Sequence, residues 1–555
     1  MGIKNLKICL IAAIFFVLWG CSKSKQPTPV TPVPPALSFS ALKVNGTYNG
    51  FNYQGVNNSP VIRISFSAPL SHTSVAGAVS FNNKVGAGVN FTTSYQNNDS
   101  TVVITPTALQ SITQYTLNIS TALKSAAGGT LQSAIAIDLT TAVDTTNKFP
   151  ALTDNQLLDL VQKQTLKYFY DFGHPVSGLA RERNTSGDIV TMGGSGFGIM
   201  ALVVGANRQF ITRAQALARL QTIVAFLLKA QTFHGAFPHW MNGATGAVVP
   251  FSTQDDGADL VETAYLMEGL LTARQYFNAG SPAETQLQAD INTLYNNVDW
   301  NWFTNGGQNV LFWHWSPNYG WSSNMQINGW DEALITYVMA ASSTTHPITK
   351  AVYDNGWAGN GSMKNGNTYF NTVLPLGPAE GGPLFFAHYS FLGINPNGLS
   401  DTYATYDVQN KAHATINYNY CVANPAGHYG YGANCWGLTA SDIESGYTAS
   451  SPTNDVGTIA PTAAIASLPY TPTQSMHALR YFYYKLGDKT WGPYGFYDAF
   501  DLDNTWFASS DLAIDEGPII DMIENYRSGL LWNLFMSCPE VKTGMKNLGF
   551  QSPNL

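Results

Sequence analysis

Residues 255–271 read DDGADLVETAYLMEGLL, and this stretch decides the fold class. Leu260, Ala264, Met267 and Leu271 follow one another at i, i+4, i+7 and i+11. This spacing places four apolar side chains on one face of an α-helix, as in an amphipathic helix that packs on a core. The stretch therefore predicts a helix.

The same periodicity recurs along the C-terminal four hundred residues. Apolar stripes lie at residues 157–166 and 217–227, and further helices are predicted near 331–341, 474–486 and 519–535. Long loops rich in Gly, Pro, Asn and aromatic residues separate them, notably at 301–328 and 355–435, and loops of this length are usually functional. We therefore predict that residues 150–555 form a mainly α domain, an (α/α)6 toroid with a substrate pocket at one rim.

Residues 37–145 have a different pattern of apolar and polar residues. Alternating runs such as 61–66, 101–104 and 115–119 are separated by Asn, Gly and Ser turns, which predicts short strands and a β-sandwich. The segment resembles the bacterial Ig-like domains that precede secreted enzymes. We expect a spacer, with weak glycan binding as the alternative.

The first residues resemble a bacterial lipoprotein signal. Lys4 and Lys7 precede an apolar run at 8–18 that is too short for a stable membrane anchor, and LWGC at 18–21 resembles a lipobox. We predict a signal peptide at 1–20, lipidation of Cys21 and a Pro-rich tether at 21–36. The alternative is an ordinary secretory signal. The expected location is the cell envelope, lipid-anchored to the outer membrane and facing either the periplasm or the outside.

The amino-acid composition limits the classes of molecule that this protein is expected to bind. The net charge is −8 and charged residues are 11% of the chain, against roughly 25% in an ordinary soluble domain, so a nucleic-acid partner is excluded. Aromatic residues reach 13%, which suits neutral carbohydrate because rings stack on sugar faces. No CxxC zinc pattern occurs, so we do not expect a structural metal. Cys421 and Cys435 are either bridged or free.

Acidic residues are scarce, so their clusters carry information. Asp255, Asp259 and Glu262 are spaced to share one helical face, where like charges repel and raise at least one pKa. Such a group can supply an acid, a base or contacts to sugar hydroxyls. The alternative is that Asp255 or Asp256 caps a helix N-terminus.

Two further carboxylates stand near predicted helix starts. Glu332 follows an aromatic loop and is expected in the first turn of a helix, where apolar rings would raise its pKa as a general acid requires. Asp515 precedes Pro518, a residue suited to a first helical turn, so Asp515 is expected at a rim. In each case a purely structural role at the helix end is the alternative.

Several longer motifs resemble one known family. They are FHGAFPHW at 233–240, DDGADLVETA at 255–264, GPLFF at 382–386, CWGLTASD at 435–442, PTAA at 461–464 and MIENYR at 522–527. From residue 149 to the C-terminus the chain resembles glycoside hydrolase family 144, the glucoamylase-like proteins that act on β-1,2-glucan.

The resemblance implies an (α/α)6 toroid that hydrolyses β-1,2-glucan with inversion and without a cofactor, either within the chain or by release of sophorose from its ends. Asp255, Asp259 and Glu332 match the family's pocket acids. Glu332 is the expected acid, acting directly or through a substrate hydroxyl, and Asp515 is expected to activate water. Asp331 and Glu516 replace an expected Asn and Gln, and each is expected to add a negative charge beside a candidate acid.

The expected substrate-binding residues are Asp256, Glu262, His239, Trp313, His314, Trp321, Trp330, Tyr389 and Trp436. The protein is expected to be monomeric, with a glucan as its partner and a membrane contact through the lipid anchor only. Two alternatives stay open. One is a non-catalytic lipoprotein that captures oligosaccharides for import, and the other is a hydrolase of another glucan linkage, because a fold does not fix its substrate.

Overall fold

The computed structural model describes residues 32–555. The predicted signal peptide, the lipidation site Cys21 and most of the tether therefore lie outside the described residues. Two domains follow one another along the chain, a β-sandwich and a larger helical domain. No helix within the described residues is long and apolar enough to cross a bilayer.

The β-sandwich packs two four-stranded sheets face to face, with strand orders β1-β3-β6-β5 and β2-β8-β7-β4. Alternate residues such as Ile62 and Ile64 of β3 and Leu117 of β7 point inward and are fully buried, so the period-two pattern sets the core. The predicted sandwich is confirmed. Its elements are β1 (Phe39–Val44), β2 (Asn52–Val56), β3 (Ile62–Phe66), α1 (His72–Ala78), β4 (Val79–Asn83), β5 (Phe91–Gln96), β6 (Thr101–Pro106), β7 (Gln114–Ile119) and β8 (Ile135–Thr141).

The helical domain alternates outer and inner elements. Its helices are α2 (Asp154–Tyr170), α3 (Met192–Asn207), α4 (Arg213–Leu227), α5 (Leu260–Tyr276), α6 (Pro282–Asn296), α7 (Leu334–Ser342), α8 (Lys350–Val352), α9 (Tyr406–Ala423), α10 (Pro461–Ala466), α11 (Pro472–Tyr484), α12 (Gly487–Thr490), α13 (Ala513–Ser528), α14 (Leu530–Phe535) and α15 (Pro539–Leu548). A π-helical turn, Tyr353–Trp357, continues α8, and short 3₁₀ turns lie at Trp300–Thr304, Gly359–Gly361, Ala379–Gly381, Leu384–Ala387 and Tyr389–Phe391.

The inner ring runs α7, α5, α3, α13 and α10, each packed on the next, and these helices are buried along most of their length. The 3₁₀ turns at 384–391 close the ring between α10 and α7. Outer helices α2, α4, α6, α9 and α11 each present one apolar stripe to the ring. This arrangement confirms the predicted (α/α)6 toroid.

Short two-stranded ribbons and one three-stranded sheet connect these helices at one rim. They are β9 (Ile189–Thr191), β10 (Trp240–Asn242), β11 (Val248–Val249), β12 (Ala258–Asp259), β13 (His314–Trp315), β14 (Thr368–Tyr369), β15 (Thr372–Val373), β16 (Ala440–Ile443), β17 (Gly446–Ala449), β18 (Trp491–Gly492), β19 (Gly495–Phe496), β20 (Phe500–Asp501) and β21 (Trp506–Phe507). The three-stranded sheet has the order β11-β10-β9. The inner helices all begin at this rim.

Glycine permits the close contact of α3 with α5. A Cβ added at Gly196 would lie 2.2 Å from the Tyr265 carbonyl oxygen, and one added at Gly269 would lie 2.1 Å from the Gly196 carbonyl oxygen. Any larger residue would push the two innermost helices apart, so the glycines of α3 serve helix packing.

Three helix predictions need correction. The segment 355–435, predicted as a loop, contains the eighteen-residue helix α9, whose many Asn and Tyr residues hide its apolar stripe. Near 519–535 the chain forms two helices, because Gly529 adopts φ 66° and ends α13. Helix α13 starts at Ala513, so Pro518 lies inside it and Asp515 lies in its first turn. Within the described residues Cys421, Cys435 and Cys538 are buried free thiols.

Candidate active site

A cavity of about 460 Å³ opens at the rim where the inner helices begin. Helix N-terminal ends leave N–H groups without intrahelical partners, which favours carboxylates and polar ligands there. The lining residues are Glu182, Arg183, Thr191, His239, Trp240, Phe251, Glu262, Tyr265, Trp313, Glu332, Phe385, Tyr389, Ala440, Tyr447, Ala449, Leu512 and Ile514. Five predicted site residues, Glu332, Glu262, His239, Trp313 and Tyr389, are among them.

Glu332 lines the cavity from a position two residues before α7, and not from the first turn as expected. Its backbone is held in place, since the Tyr265 hydroxyl donates to its carbonyl at 3.2 Å and the Ser390 hydroxyl donates to the same oxygen. Burial, together with nearby Glu262 and Asp259, raises the pKa of Glu332 to about 7. A carboxyl with this pKa holds its proton in a large share of molecules at neutral pH and can donate it.

Asp259 does not share a helical face with Asp255. It is the N-cap of α5, where its Oδ1 accepts the backbone N–H of Val261 at 3.0 Å and of Glu262 at 2.9 Å. The alternative that Asp255 or Asp256 caps a helix is therefore wrong, because Asp259 is the residue that caps α5. The second oxygen, Oδ2, lies 2.9 Å from His239 Nδ1. Burial raises the pKa of fully buried Asp259, but the neighbouring His314, His239 and the Glu262 N–H outweigh it and keep this pKa below its ordinary value.

Two imidazoles gather beside Asp255 and Asp259. The antiparallel pairing of β12 with β13 sets Asp259 opposite His314, whose Nδ1 is 3.4 Å from Asp255 Oδ1 and 3.6 Å from Asp259 Oδ2. Burial favours neutral His239, but Glu262, Asp259 and Asp255 outweigh it and raise its pKa to about 9. Asp259 and Asp255 likewise raise the pKa of His314 against burial.

Among the described residues, His239, Asp255 and Asp259 are close enough together to hold a metal ion. Two protonated imidazoles beside two carboxylates balance the charge, so ion pairing accounts for the group by itself. The expectation of no metal stays a prediction.

Glu262 projects from the first turn of α5 into the cavity. Its Oε2 accepts the backbone N–H of Gly193 at 2.6 Å and the Thr191 hydroxyl at 3.2 Å, so the N-terminus of α3 binds this carboxylate. Burial and Asp259 nevertheless raise the pKa of Glu262, against the opposing effect of His239.

Asp515 lies in the first turn of α13, and its side chain is 3% exposed. Leu512 and Ile514 line the cavity beside it, while the Asp515 carboxyl itself hydrogen-bonds to Asp498. Burial and the carboxyl groups of Asp498, Glu516 and Asp442 hold the pKa of Asp515 well above its usual range.

Burial opposes the negative charges that were expected at Asp331 and Glu516. Desolvation and neighbouring Glu332 raise the pKa of Asp331 well above its usual range. Desolvation and Asp511 do the same for Glu516. Both shifts favour the neutral carboxyl, which is closer in charge to the Asn and Gln that the resemblance led us to expect.

Three predicted tryptophans lie away from the cavity. Trp330 is 4% exposed and packs against Trp357, Phe391 and Tyr406 in the core, and Trp436 is fully buried with its Nε1 donating to the Gln474 carbonyl. The prediction that Trp330 and Trp436 bind substrate is corrected accordingly. Trp321 packs on Trp302, Phe303 and Phe312, and Asp256 accepts a 2.6 Å hydrogen bond from Asn318, so both support neighbouring loops.

Several residues that line the cavity were not among the predicted site residues. Glu182 and Arg183 form an adjacent ion pair at 3.0 Å, and Arg183 also pairs with Asp442 at 3.1 Å. Trp240 and Phe251 stack edge to face at 4.8 Å. Trp240 belongs to the FHGAFPHW motif, which was the one available signal, whereas isolated charged residues in loops gave none.

Comparisons with known proteins agree with this description. The family model described as "Putative glucoamylase" matches residues 324–539, and a bacterial Ig-like domain model matches residues 40–141. A crystal structure of an endo-β-1,2-glucanase from Chitinophaga pinensis, in complex with sophorotriose and glucose, is 49% identical, with a TM-score of 0.72. The alignment covers 73% of this chain and all of that one.

Two further matches come from Parabacteroides distasonis. A β-1,2-glucanase structure is 36% identical with a TM-score of 0.70, covering 93% of this chain and 74% of that one. A curated exo β-1,2-glucooligosaccharide sophorohydrolase that acts at the non-reducing end is 45% identical over 420 residues, or 72% of this chain. This alignment spans 58% of the length of that curated relative. On these similarities the chain belongs to the family of bacterial β-1,2-glucanases, glycoside hydrolase family 144.

Proposed function

We propose that this protein is an inverting glycoside hydrolase that cleaves β-1,2-glucan into β-1,2-gluco-oligosaccharides. The observation that carries the proposal is Glu332, a carboxyl at the wall of the cavity whose pKa is raised to about 7. A general acid needs this property in order to protonate a leaving oxygen at neutral pH. The relatives named as β-1,2-glucanases and as a sophorohydrolase support the choice of linkage.

Asp515 is proposed to activate the attacking water. Glu332 precedes α7 and Asp515 starts α13, and these helices stand three positions apart in the six-membered inner ring, hence across the cavity from each other. Inverting enzymes need their two carboxyl groups farther apart than retaining enzymes do, because a water molecule must fit between the base and the sugar. Placement on opposite helices supports inversion.

Aromatic rings are proposed to hold the glucose units. Trp240, Phe251, Trp313, Phe385 and Tyr447 line the cavity, and flat rings of this kind bury the apolar faces of sugars. Asp259, His239 and His314 are proposed to form hydrogen bonds with the sugar hydroxyl groups. A neutral sugar bound in this way adds no net charge to the site.

The location in the cell is a separate proposal. The sequence at residues 4–21 supports a lipoprotein anchored through Cys21 in the cell envelope, and the protein is proposed to be a monomer. Metabolic labelling with a radioactive fatty acid tests the anchor. Label should be incorporated into the wild type and not into Cys21→Ala. Equal labelling of both would contradict the proposal.

Product analysis tests the activity. The purified protein is incubated with linear β-1,2-glucan, and β-1,3-glucan and starch serve as controls. A ladder of β-1,2-oligosaccharides means cleavage within the chain, and sophorose alone means action at chain ends. No sugar released from any glucan, with binding still detectable, would contradict the enzyme and favour the alternative of a capture lipoprotein.

A further inference from the structure

A second set of carboxyl groups surrounds the start of α13, on the side of the cavity opposite Glu332. Asp498, Asp511, Asp515 and Glu516 are each at most 4% exposed. Within the described residues each of them has one buried side-chain oxygen without a hydrogen-bond donor. An ionised carboxylate buried without donors is costly, so this group requires an explanation.

The contacts of Asp498 differ from those of Asp515. Asp498 Oδ2 accepts the backbone N–H of Asp442 at 2.6 Å, and Asp442 itself is bound by Arg183 at 3.1 Å and by the Ser510 hydroxyl at 2.6 Å. The Asp442 N–H and the nearby Arg183 favour a negative charge on Asp498, against the effect of the Asp442 carboxylate.

The Asp515 carboxyl hydrogen-bonds to Asp498, and the backbone of Asp515 is fixed because its carbonyl accepts the Thr462 hydroxyl at 2.9 Å. A hydrogen bond between two carboxyl groups requires a proton on one of them. A single proton also supplies the donor that Asp498 Oδ1 and Asp515 Oδ2 lack.

We propose that Asp498 is a positioning residue that shares one proton with Asp515, so that the two carboxyl groups accept the proton of the attacking water as a pair. The inference rests on the proposed function, because it takes Asp515 as the group that faces the water. In the resting protein the proton lies on Asp515 and the negative charge on Asp498.

In the proposed reaction each proton moves from a named donor to a named acceptor. When the water oxygen bonds to the anomeric carbon, one water O–H bond breaks and its proton passes to Asp515. The proton already on Asp515 moves to Asp498, so that each carboxyl holds one proton. The glycosidic C–O bond breaks as Glu332 gives its proton to the leaving oxygen. After product release the pair returns one proton to solvent and Glu332 takes one up.

The charged and titratable groups around the pair come from several elements. Four of these groups lie close to the pair: Asp442 of β16, Glu516 of α13, and Arg183 and Asp511 of the loops. At the cavity wall, the charge of Asp515 contributes to the raised pKa values of Tyr389 and Tyr447. Burial raises the pKa of Asp498 to about 7, although the Asp442 N–H and Arg183 oppose the rise. Above about pH 7 the pair therefore carries one proton.

The kinetic test compares Asp498→Asn with Asp521→Asn, a matched substitution of a fully buried acid farther along α13. We expect Asp498→Asn to move the acidic limb of the kcat profile to lower pH by about one unit or more. The Asn amide donates to Asp515, which then ionises more easily. The plateau of kcat should fall about tenfold, since a carboxylate of lower pKa is a weaker base. The KM of Asp498→Asn should change less than threefold. The kcat of Asp521→Asn should also change less than threefold at each pH.

An unchanged acidic limb in Asp498→Asn would overturn the proposal, because a purely structural role lowers kcat without moving the limb. If Asp498→Asn does not fold, Asp498→Ser replaces it, since its hydroxyl still offers a donor to Asp515. A second measurement is independent of turnover. The infrared band of one protonated carboxyl, present in the wild type at pH 8, should vanish in the Asp498 variant. A persistent band contradicts the shared proton, whether or not the protein cleaves glucan.

Discussion

Two groups of carboxylates flank the cavity, and they differ in what surrounds them. The first group, Asp255, Asp259, Glu262 and Glu332, has two imidazoles and the N-terminal ends of α3 and α5 beside it. The second group, Asp498, Asp511, Asp515 and Glu516, has Arg183 as its nearby cation, and Arg183 pairs directly with Glu182 and Asp442.

The difference is clearest between Asp259 and the second group, because burial also raises the pKa values of Glu262 and Glu332 in the first group. Asp259 keeps a pKa below its ordinary value although it is fully buried, whereas Asp515 and Glu516 keep theirs well above it. Burial is common to both groups, so the partners decide the charge. The number of acids in a pocket therefore says little about its chemistry until the donors are known.

Loss of the Glu332 carboxyl should have the largest effect. Glu332→Gln keeps the size of the side chain but cannot release a proton, so kcat on β-1,2-glucan should fall by about 10²–10⁴-fold. Initial rates of reducing-sugar release measure the change. Glu182→Gln, a second cavity carboxylate, is the matched control and should lose much less. Equal losses in both variants would mean that Glu332 has no special role.

The two groups should also differ in what charge removal does to stability. Asp259→Asn leaves a good N-cap but removes the partner of two imidazoles, so the free energy of unfolding should fall by about 3 kcal/mol. Glu516→Gln replaces a carboxyl whose raised pKa favours the neutral form, so its change should stay within about 1 kcal/mol. Urea unfolding of both variants at pH 7 measures the difference, and similar losses would refute the contrast.

Stability should depend on pH through His239. Its folded pKa of about 9 lies above the unfolded value of about 6.5, so its contribution is complete below pH 6.5 and is lost as the pH rises to 9. The loss should reach about 2–3 kcal/mol in the wild type. His239→Gln should lack this component of the slope. Urea unfolding from pH 6 to pH 9 measures it, and parallel curves for the two proteins would contradict the assignment.

The smallest effect concerns the rings beside the first group. Trp313→Ala removes a cavity wall and should raise KM roughly 3–10-fold. Trp330→Phe leaves the wall intact and should lower the free energy of unfolding by about 1–2 kcal/mol at unchanged KM. A higher KM in Trp330→Phe would mean that Trp330 contacts substrate after all.

The sequence predicted much of this fold because apolar periodicity sets the helices. The stripe at Leu260, Ala264, Met267 and Leu271 lies on α5 as expected. Helix α9 was missed because its buried face includes polar residues such as Gln409, which is satisfied by distant backbone groups. Periodicity alone does not show such partners.

The site was predicted less completely, for a geometric reason. Asp259 and His314 are 55 positions apart, and a two-residue strand pairing brings them together, which spacing along the chain does not reveal. Trp330 stands next to Asp331 and Glu332 in sequence, yet the turn before α7 directs it into the core. The Asp498–Asp515 contact likewise depends on the ribbon β20–β21 folding back toward α13.

The central claim is that Glu332 supplies the proton for the leaving group. Its most direct test compares wild type and Glu332→Gln on two substrates, linear β-1,2-glucan and 4-nitrophenyl β-sophoroside. The nitrophenolate of the second substrate leaves without protonation. We predict a loss of kcat of about 10²-fold or more on the glucan and less than about tenfold on the sophoroside. Equal losses on both substrates would contradict the account.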